Sequence, residues 1–163
     1  MKRIWLLRHL KSSWDDPGLA DHDRPLAPRG RKAAKRIGRF ASANGVRPEL
    51  VLCSTARRAR ATFDLLADDL GEPELKLEGD LYHASAADLL ARLRALPAAA
   101  ADVLVIGHNP ALQELAAVLA PPGPDPFPTG ALAELRLAVE RWPDVHPGCA
   151  ELARLVVPRE LPR

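Results

Sequence analysis

A chain of 163 residues, 47% hydrophobic and 27% charged with a formal net charge of +2, has the make-up of one soluble domain with a substantial core. The charge is too small to point to a nucleic acid or a membrane surface as partner. Two cysteines, Cys53 and Cys149, form neither a disulfide framework nor a metal-ligand spacing, so no metal or other cofactor is expected.

Lys2 and Arg3 precede the apolar run Ile4-Trp5-Leu6-Leu7, which stops at Arg8. That is short of a secretory apolar segment of roughly 7–15 residues. No stretch nears the roughly 20 apolar residues of a membrane span, and a cytoplasmic location is expected. The run reads as a buried strand that ends on the pair Arg8-His9. A helix then runs from Pro28 to Asn44-Gly45. Ala33, Ile37, Phe40 and Ala41 share one of its faces, while Arg29, Arg31, Lys32, Lys35, Arg36 and Arg39 populate the rest. That basic surface is either a solvated face or a docking surface for an acidic partner.

A second buried strand spans Leu50–Cys53, with Cys53 packed inside it, and a second helix covers Ala56 to Leu70 before Gly71. Ser54 or Thr55 is a natural N-cap for this helix. Arg57 and Arg58 then occupy its first turn, where positive charge opposes the helix dipole. An anion bound at the helix start would compensate, although Arg57 or Arg60 could equally point into water. A third helix covers Ala86–Leu96. The strand Val103–Ile106 leads into Gly107-His108-Asn109-Pro110, with Asn109 as N-cap and Pro110 as the first residue of a fourth helix reaching Ala120. Pro121-Pro-Gly-Pro-Asp-Pro-Phe-Pro128 is a stiff extended loop. Leu132–Val139 and Leu152–Val157 read as two late strands that include an antiparallel edge. Strands alternating with helices predict an α/β fold around a mainly parallel sheet.

Arg8, His9, Arg58 and His108 therefore arrive at strand ends, the edge where open α/β sheets carry their ligands. Guanidinium forks suit a tetrahedral dianion, and a histidine can act as nucleophile or proton donor. No G-x-x-x-x-G-K loop is present, which excludes a nucleotide triphosphatase of that class.

These motifs resemble the histidine phosphatases, the superfamily that includes phosphoglycerate mutases. Arg8-His9-Leu10-Lys11-Ser12-Ser13-Trp14-Asp15 is similar to the opening R-H-G-E-S-x-W-N. Ser54 through Thr62 resembles S-x-x-x-R-A-x-x-T, which singles out Arg58 rather than Arg57, and Gly107-His108-Asn109-Pro110 matches the block of the second histidine. Asp23-Arg24-Pro25-Leu26 and Phe127-Pro128-Thr129-Gly130 resemble segments of the short SixA-type phosphohistidine phosphatases. The resemblance implies a three-layer α/β/α sandwich of the phosphoglycerate mutase type with an antiparallel edge strand. It implies His9 as nucleophile, with its other ring nitrogen donating to a backbone carbonyl, and Arg8, Arg58 and His108 as phosphate ligands. Lys11, Ser12, Arg24 and Thr129 would line the pocket, and His83 is a proton donor or a surface bystander. Leu10 departs from the usual glycine. Asp15 replaces an asparagine, which implies that it points away from phosphate or pairs with Lys11. The expected partner is a phosphohistidine-bearing signalling protein. The alternatives are a small phosphoester, for a broad phosphomonoesterase, or a phospho-binding module without catalysis.

Overall fold

Four parallel strands form one side of a single sheet in the structure, a computed structural model that describes residues 1–163. They are β1 (Lys2–Arg8), β2 (Leu50–Ser54), β3 (Glu74–Glu78) and β4 (Asp102–Gly107). Two further strands, β5 (Leu132–Leu137) and β6 (Ala150–Val156), complete a six-stranded sheet of order β3-β2-β4-β1-β5-β6. The antiparallel part is the β5–β6 pair: β5 runs against both β1 and β6, so the reversed strand lies one position inside the edge.

Alternate residues of each central strand face opposite layers, as period-2 geometry requires. Ile4, Leu6, Val103 and Val105 pack into one core, and Trp5, Leu7, Leu104 and Ile106 into the other. The helices α1 (Pro28–Ala43) and α2 (Arg57–Leu66) cover the second core, while α3 (Ala86–Arg94) and α4 (Ala111–Leu119) cover the first. This is the expected three-layer sandwich. Pro28 opens α1, and Ser85 opens α3 by exchanging hydrogen bonds with Asp88 in a capping box.

Three local expectations are corrected. The residue before α2 is Ala56, without a side-chain cap; Ser54 Oγ instead accepts the Ala56 N–H at 3.2 Å, forming a tight turn. The helix itself ends at Leu66 and continues to Gly71 as turns. Pro110 stands at the cap of α4 rather than as its first residue, yet Asn109 Oδ1 still accepts the Gln113 N–H at 3.3 Å.

Leu10 is fully buried among Leu26, Ile37, Ala59 and Leu132 of the second core, which explains a bulky residue beside the histidine. Leu10→Ala is expected to cost about 2–5 kcal/mol, the range for truncating a buried leucine. Urea denaturation of the variant against wild type checks it.

Candidate active site

The sheet changes winding direction between β1 and β4. The chain passes from β1 outward to β2 and β3, then returns to insert β4 between β2 and β1. A reversal of this kind opens a crevice at the carboxyl ends of the strands. Arg8 is in register with Gly107 across β1 and β4, so His9 and His108 leave the sheet side by side. Their ring centroids are 5.2 Å apart. The loop carrying His9 is pinned on several sides. Leu10 N–H donates to Thr62 Oγ1 at 3.0 Å, and Ala27 N–H donates to Lys11 O at 2.9 Å. Gly30 of α1 approaches Lys11 so closely that a Cβ there would lie 2.3 Å from its carbonyl oxygen. Gly130, at φ +76°, sends its N–H toward the carbonyl oxygens of Arg8 and His9 at 2.9 and 3.1 Å.

His9 is 6% exposed. Its Nδ1 lies 2.7 Å from Leu10 O, an oxygen that can only accept, so Nδ1 carries the proton. The Nε2 lone pair accepts the Arg58 Nε–H at 3.3 Å. The second contact requires the neutral ring, since a protonated Nε2 has no lone pair to accept with. Burial pushes its pKa down to about 3, the nearby His108, Arg58 and Arg8 add to the shift, and the bond to Leu10 O opposes it. Burial, with Arg58 next, holds His108 near 4. His108 Nε2 lies 2.8 Å from Ser54 Oγ.

Arg58 is buried, and its guanidinium also donates to Asp21 O at 2.8 Å and Asp21 Oδ2 at 3.0 Å. Asp21 Oδ1 accepts from Arg24 Nε at 3.0 Å, and the Tyr82 hydroxyl donates to Oδ2. The Tyr82 bond leads the causes that hold the Asp21 carboxyl well below the usual carboxylate range, followed among the favourable ones by Arg58 and Arg24. Arg8 donates to Phe127 O at 3.2 Å. Burial and the neighbouring Arg58 lower its pKa. Two buried side-chain polar atoms have no hydrogen-bond partner: Arg8 Nε and His108 Nδ1. Orphaned buried polar atoms are rare in folded proteins and costly. Here both belong to residues at the same strand edge, where an oxyanion could satisfy them.

The four principal residues expected from the motifs thus lie in one cluster. The other candidates are scattered around it. Ser12 is buried and its backbone bridges to Leu26. Arg24 is occupied by Asp21 and Ser13 O, and lies 3.4 Å above the ring of the exposed Trp14. Lys11 and Thr129 line a neighbouring cavity. His83 is exposed and packs its ring at a tilt against Tyr82, with centroids 4.3 Å apart. Asp15 is exposed, its backbone N–H donating to Ser13 Oγ at 3.1 Å, and its carboxylate makes no ion pair with Lys11. Asp21, Tyr82 and Ser54 also belong to the cluster, although the sequence alone does not single them out as site residues. The cue for Asp21 was its position in an acidic and basic cluster, Asp21-His22-Asp23-Arg24.

Three outcomes follow from this geometry. Histidine ring NMR should show His9 as the neutral Nδ1–H tautomer down to about pH 4. Because both lowered pKa values lie beneath that of a free imidazole, the unfolded chain binds protons that the folded chain does not. Stability is therefore retained above about pH 6.5 and lost progressively as pH falls toward about 3. Asp21→Asn removes a negative charge that competes for Arg58. The carboxylate is 48% exposed, and solvent screening limits the gain to about 1 kcal/mol, or roughly fivefold tighter competitive inhibition by inorganic phosphate.

Comparisons with known proteins show the family and the fold. The sequence model of the histidine phosphatase superfamily (branch 1) matches residues 4–89. The chain is 40% identical over 163 residues to an uncharacterized protein of Mycobacterium tuberculosis, covering 94% of this chain and 100% of the relative. A candidate SixA phosphohistidine phosphatase from Nakamurella multipartitia superposes with a TM-score of 0.83 at 28% identity, over 96% of both chains. The protein histidine phosphatase SixA complexed with tungstate gives 0.83 at 27% identity, over 96% of this chain and 97% of that one.

Proposed function

Because the chain belongs to the histidine phosphatase superfamily, we propose that it removes phosphate from phosphohistidine on a cytoplasmic protein partner, through a phosphoryl group carried on His9. The observation that carries this reading is the pair of orphaned buried atoms, Arg8 Nε and His108 Nδ1, beside a neutral imidazole whose Nε2 is free of its proton. A tetrahedral oxyanion would satisfy both, and tungstate, present in one SixA structure, is such an ion. In the first step the Arg58 Nε–H turns from His9 Nε2 to a phosphoryl oxygen and releases the lone pair. Nε2 attacks phosphorus in line, the P–N bond of the substrate breaks, and the leaving imidazole takes up a proton from solvent. In the second step water attacks phosphorus and releases a proton to solvent, the bond to Nε2 breaks, and inorganic phosphate leaves. Arg8, Arg58 and His108 stabilise the equatorial oxygens in both steps.

The choice of phosphohistidine over an alkyl monoester rests on the proton donor. An alkoxide leaving group needs an acid in the transition state. Asp21, the carboxyl bonded to Arg58, is held ionised by Tyr82 and the arginines. His83 lies exposed beyond Tyr82. Phosphohistidine depends less on such an acid because its P–N bond is intrinsically labile. The exposed Trp14, 69% accessible and stacked on Arg24, offers a flat aromatic contact suited to a protein surface. Turnover of a phosphohistidine peptide should exceed that of an alkyl phosphate at equal concentration. Faster hydrolysis of the alkyl phosphate would instead support a broad phosphomonoesterase.

A further inference from the structure

A cavity of about 270 Å³ lies between the first turns of α1 and the short turn Pro158–Glu160, beside the cluster just described. Lys11, Arg29, Lys32, Arg36 and Arg159 line it together with Thr129, and no acidic residue does. None of these five cations takes part in any ion pair of the structure. The whole chain carries a net charge of only +2, so this is a local concentration of charge and not general basicity.

The arrangement works against the helix that carries it. Arg29 and Lys32 are three apart, and Lys32 and Arg36 four apart, the spacings at which like charges repel on a helix face. Arg29 also stands in the first turn of α1, where the dipole disfavours cations. An anionic occupant would compensate both effects. The reach of the charges argues about its size. From Arg29 to Arg36 is seven residues of helix, roughly 10 Å, and Lys11 and Arg159 extend the field beyond α1. One tetrahedral ion cannot touch all of them, whereas neighbouring carboxylates on a chain can.

The cavity also opens beside the reacting group. Lys11 follows His9 by two residues, which places their Cα atoms within roughly 7 Å. Thr129 precedes Gly130, whose N–H is bonded to the carbonyl oxygens of Arg8 and His9. A phosphohistidine presented to His9 therefore brings its flanking residues over this basic lining. We propose that the cavity docks acidic side chains flanking the phosphohistidine of the protein substrate. This rests on the reading of a phosphohistidine substrate made above, and adds to it a preference for acidic sequence context.

Two phosphohistidine peptides test it, one flanked on both sides by glutamates and the other by glutamines at the same positions. At low salt the wild-type protein should show about tenfold higher kcat/KM for the glutamate peptide, carried by KM. The preference should shrink as salt shortens the screening length. The variant Lys32→Glu/Arg36→Glu should lose it while turning over the glutamine peptide within twofold of wild type, which also shows that it is folded. Equal kcat/KM for the two peptides, or a preference that survives the charge reversal, overturns the docking proposal alone. Hydrolysis of an alkyl phosphate with no turnover of either peptide overturns the phosphohistidine reading, and the docking proposal with it.

Discussion

Replacing His9 by alanine is expected to lower kcat by about ten-thousandfold or more, the scale found when a nucleophile is removed from a residue set that acts as a unit. The geometry explains why no neighbour can substitute. His108 Nε2 is engaged with Ser54 Oγ, and its unpartnered Nδ1 is assigned to an equatorial phosphoryl oxygen, not to phosphorus. Only His9 combines a lone pair on Nε2 with a proton fixed on Nδ1 by Leu10 O. Holding that tautomer before substrate arrives means the ring need not shed a proton first. The variant should remain folded, because the surrounding loop is held by Leu10, Lys11 and Gly130 rather than by the imidazole. Steady-state turnover together with a melting curve checks both statements. A variant that keeps more than about one per cent of wild-type kcat would remove His9 from its assigned role.

The second large effect is expected at Arg58. Arg58→Ala should reduce kcat/KM by about a thousandfold, comparable to losing a principal charge-stabilising donor in a water-poor site. Its neighbour supplies the control. Arg57 is exposed, and its one polar contact is a 3.4 Å hydrogen bond to Asp23 O, so Arg57→Ala should stay within about twofold of wild type. The two residues are adjacent and chemically identical, and differ in which side of α2 they occupy. Arg58→Lys should recover little, because a lysine cannot keep the Asp21 contacts and also reach a phosphoryl oxygen with a second parallel donor. Equal losses at positions 57 and 58 would contradict the assignment.

Much of this molecule could be read from its residues, and the failures have physical causes. Ile4–Leu7, Leu50–Cys53 and Val103–Ile106 are apolar because strands covered on both faces need apolar side chains throughout, and each became a central strand. The strand β3, Glu74-Leu75-Lys76-Leu77-Glu78, was invisible for the converse reason. It is an edge strand with charged residues that disfavour strands intrinsically. In the candidate site, Arg8, His9, Arg58 and His108 stood out because each falls at a strand end or helix start and matches a spaced motif. Asp21 and Tyr82 did not, since they lie 61 positions apart and meet only when the segment Asp21–Asp23 folds over the start of α2. Leu10 looked anomalous beside the histidine and proved to be core. A linear motif reports which residues can face a ligand, but not which of their neighbours face inward.

Trapping the phosphoryl group on His9 tests the central claim most directly. The protein is mixed with a phosphohistidine peptide labelled in its phosphate, quenched in alkali within the first turnovers, and digested. The account predicts label on the fragment containing His9, stable to alkali, lost in acid, and absent from His9→Ala. Turnover of the labelled peptide without any label on the protein, or label that persists in His9→Ala, would contradict it.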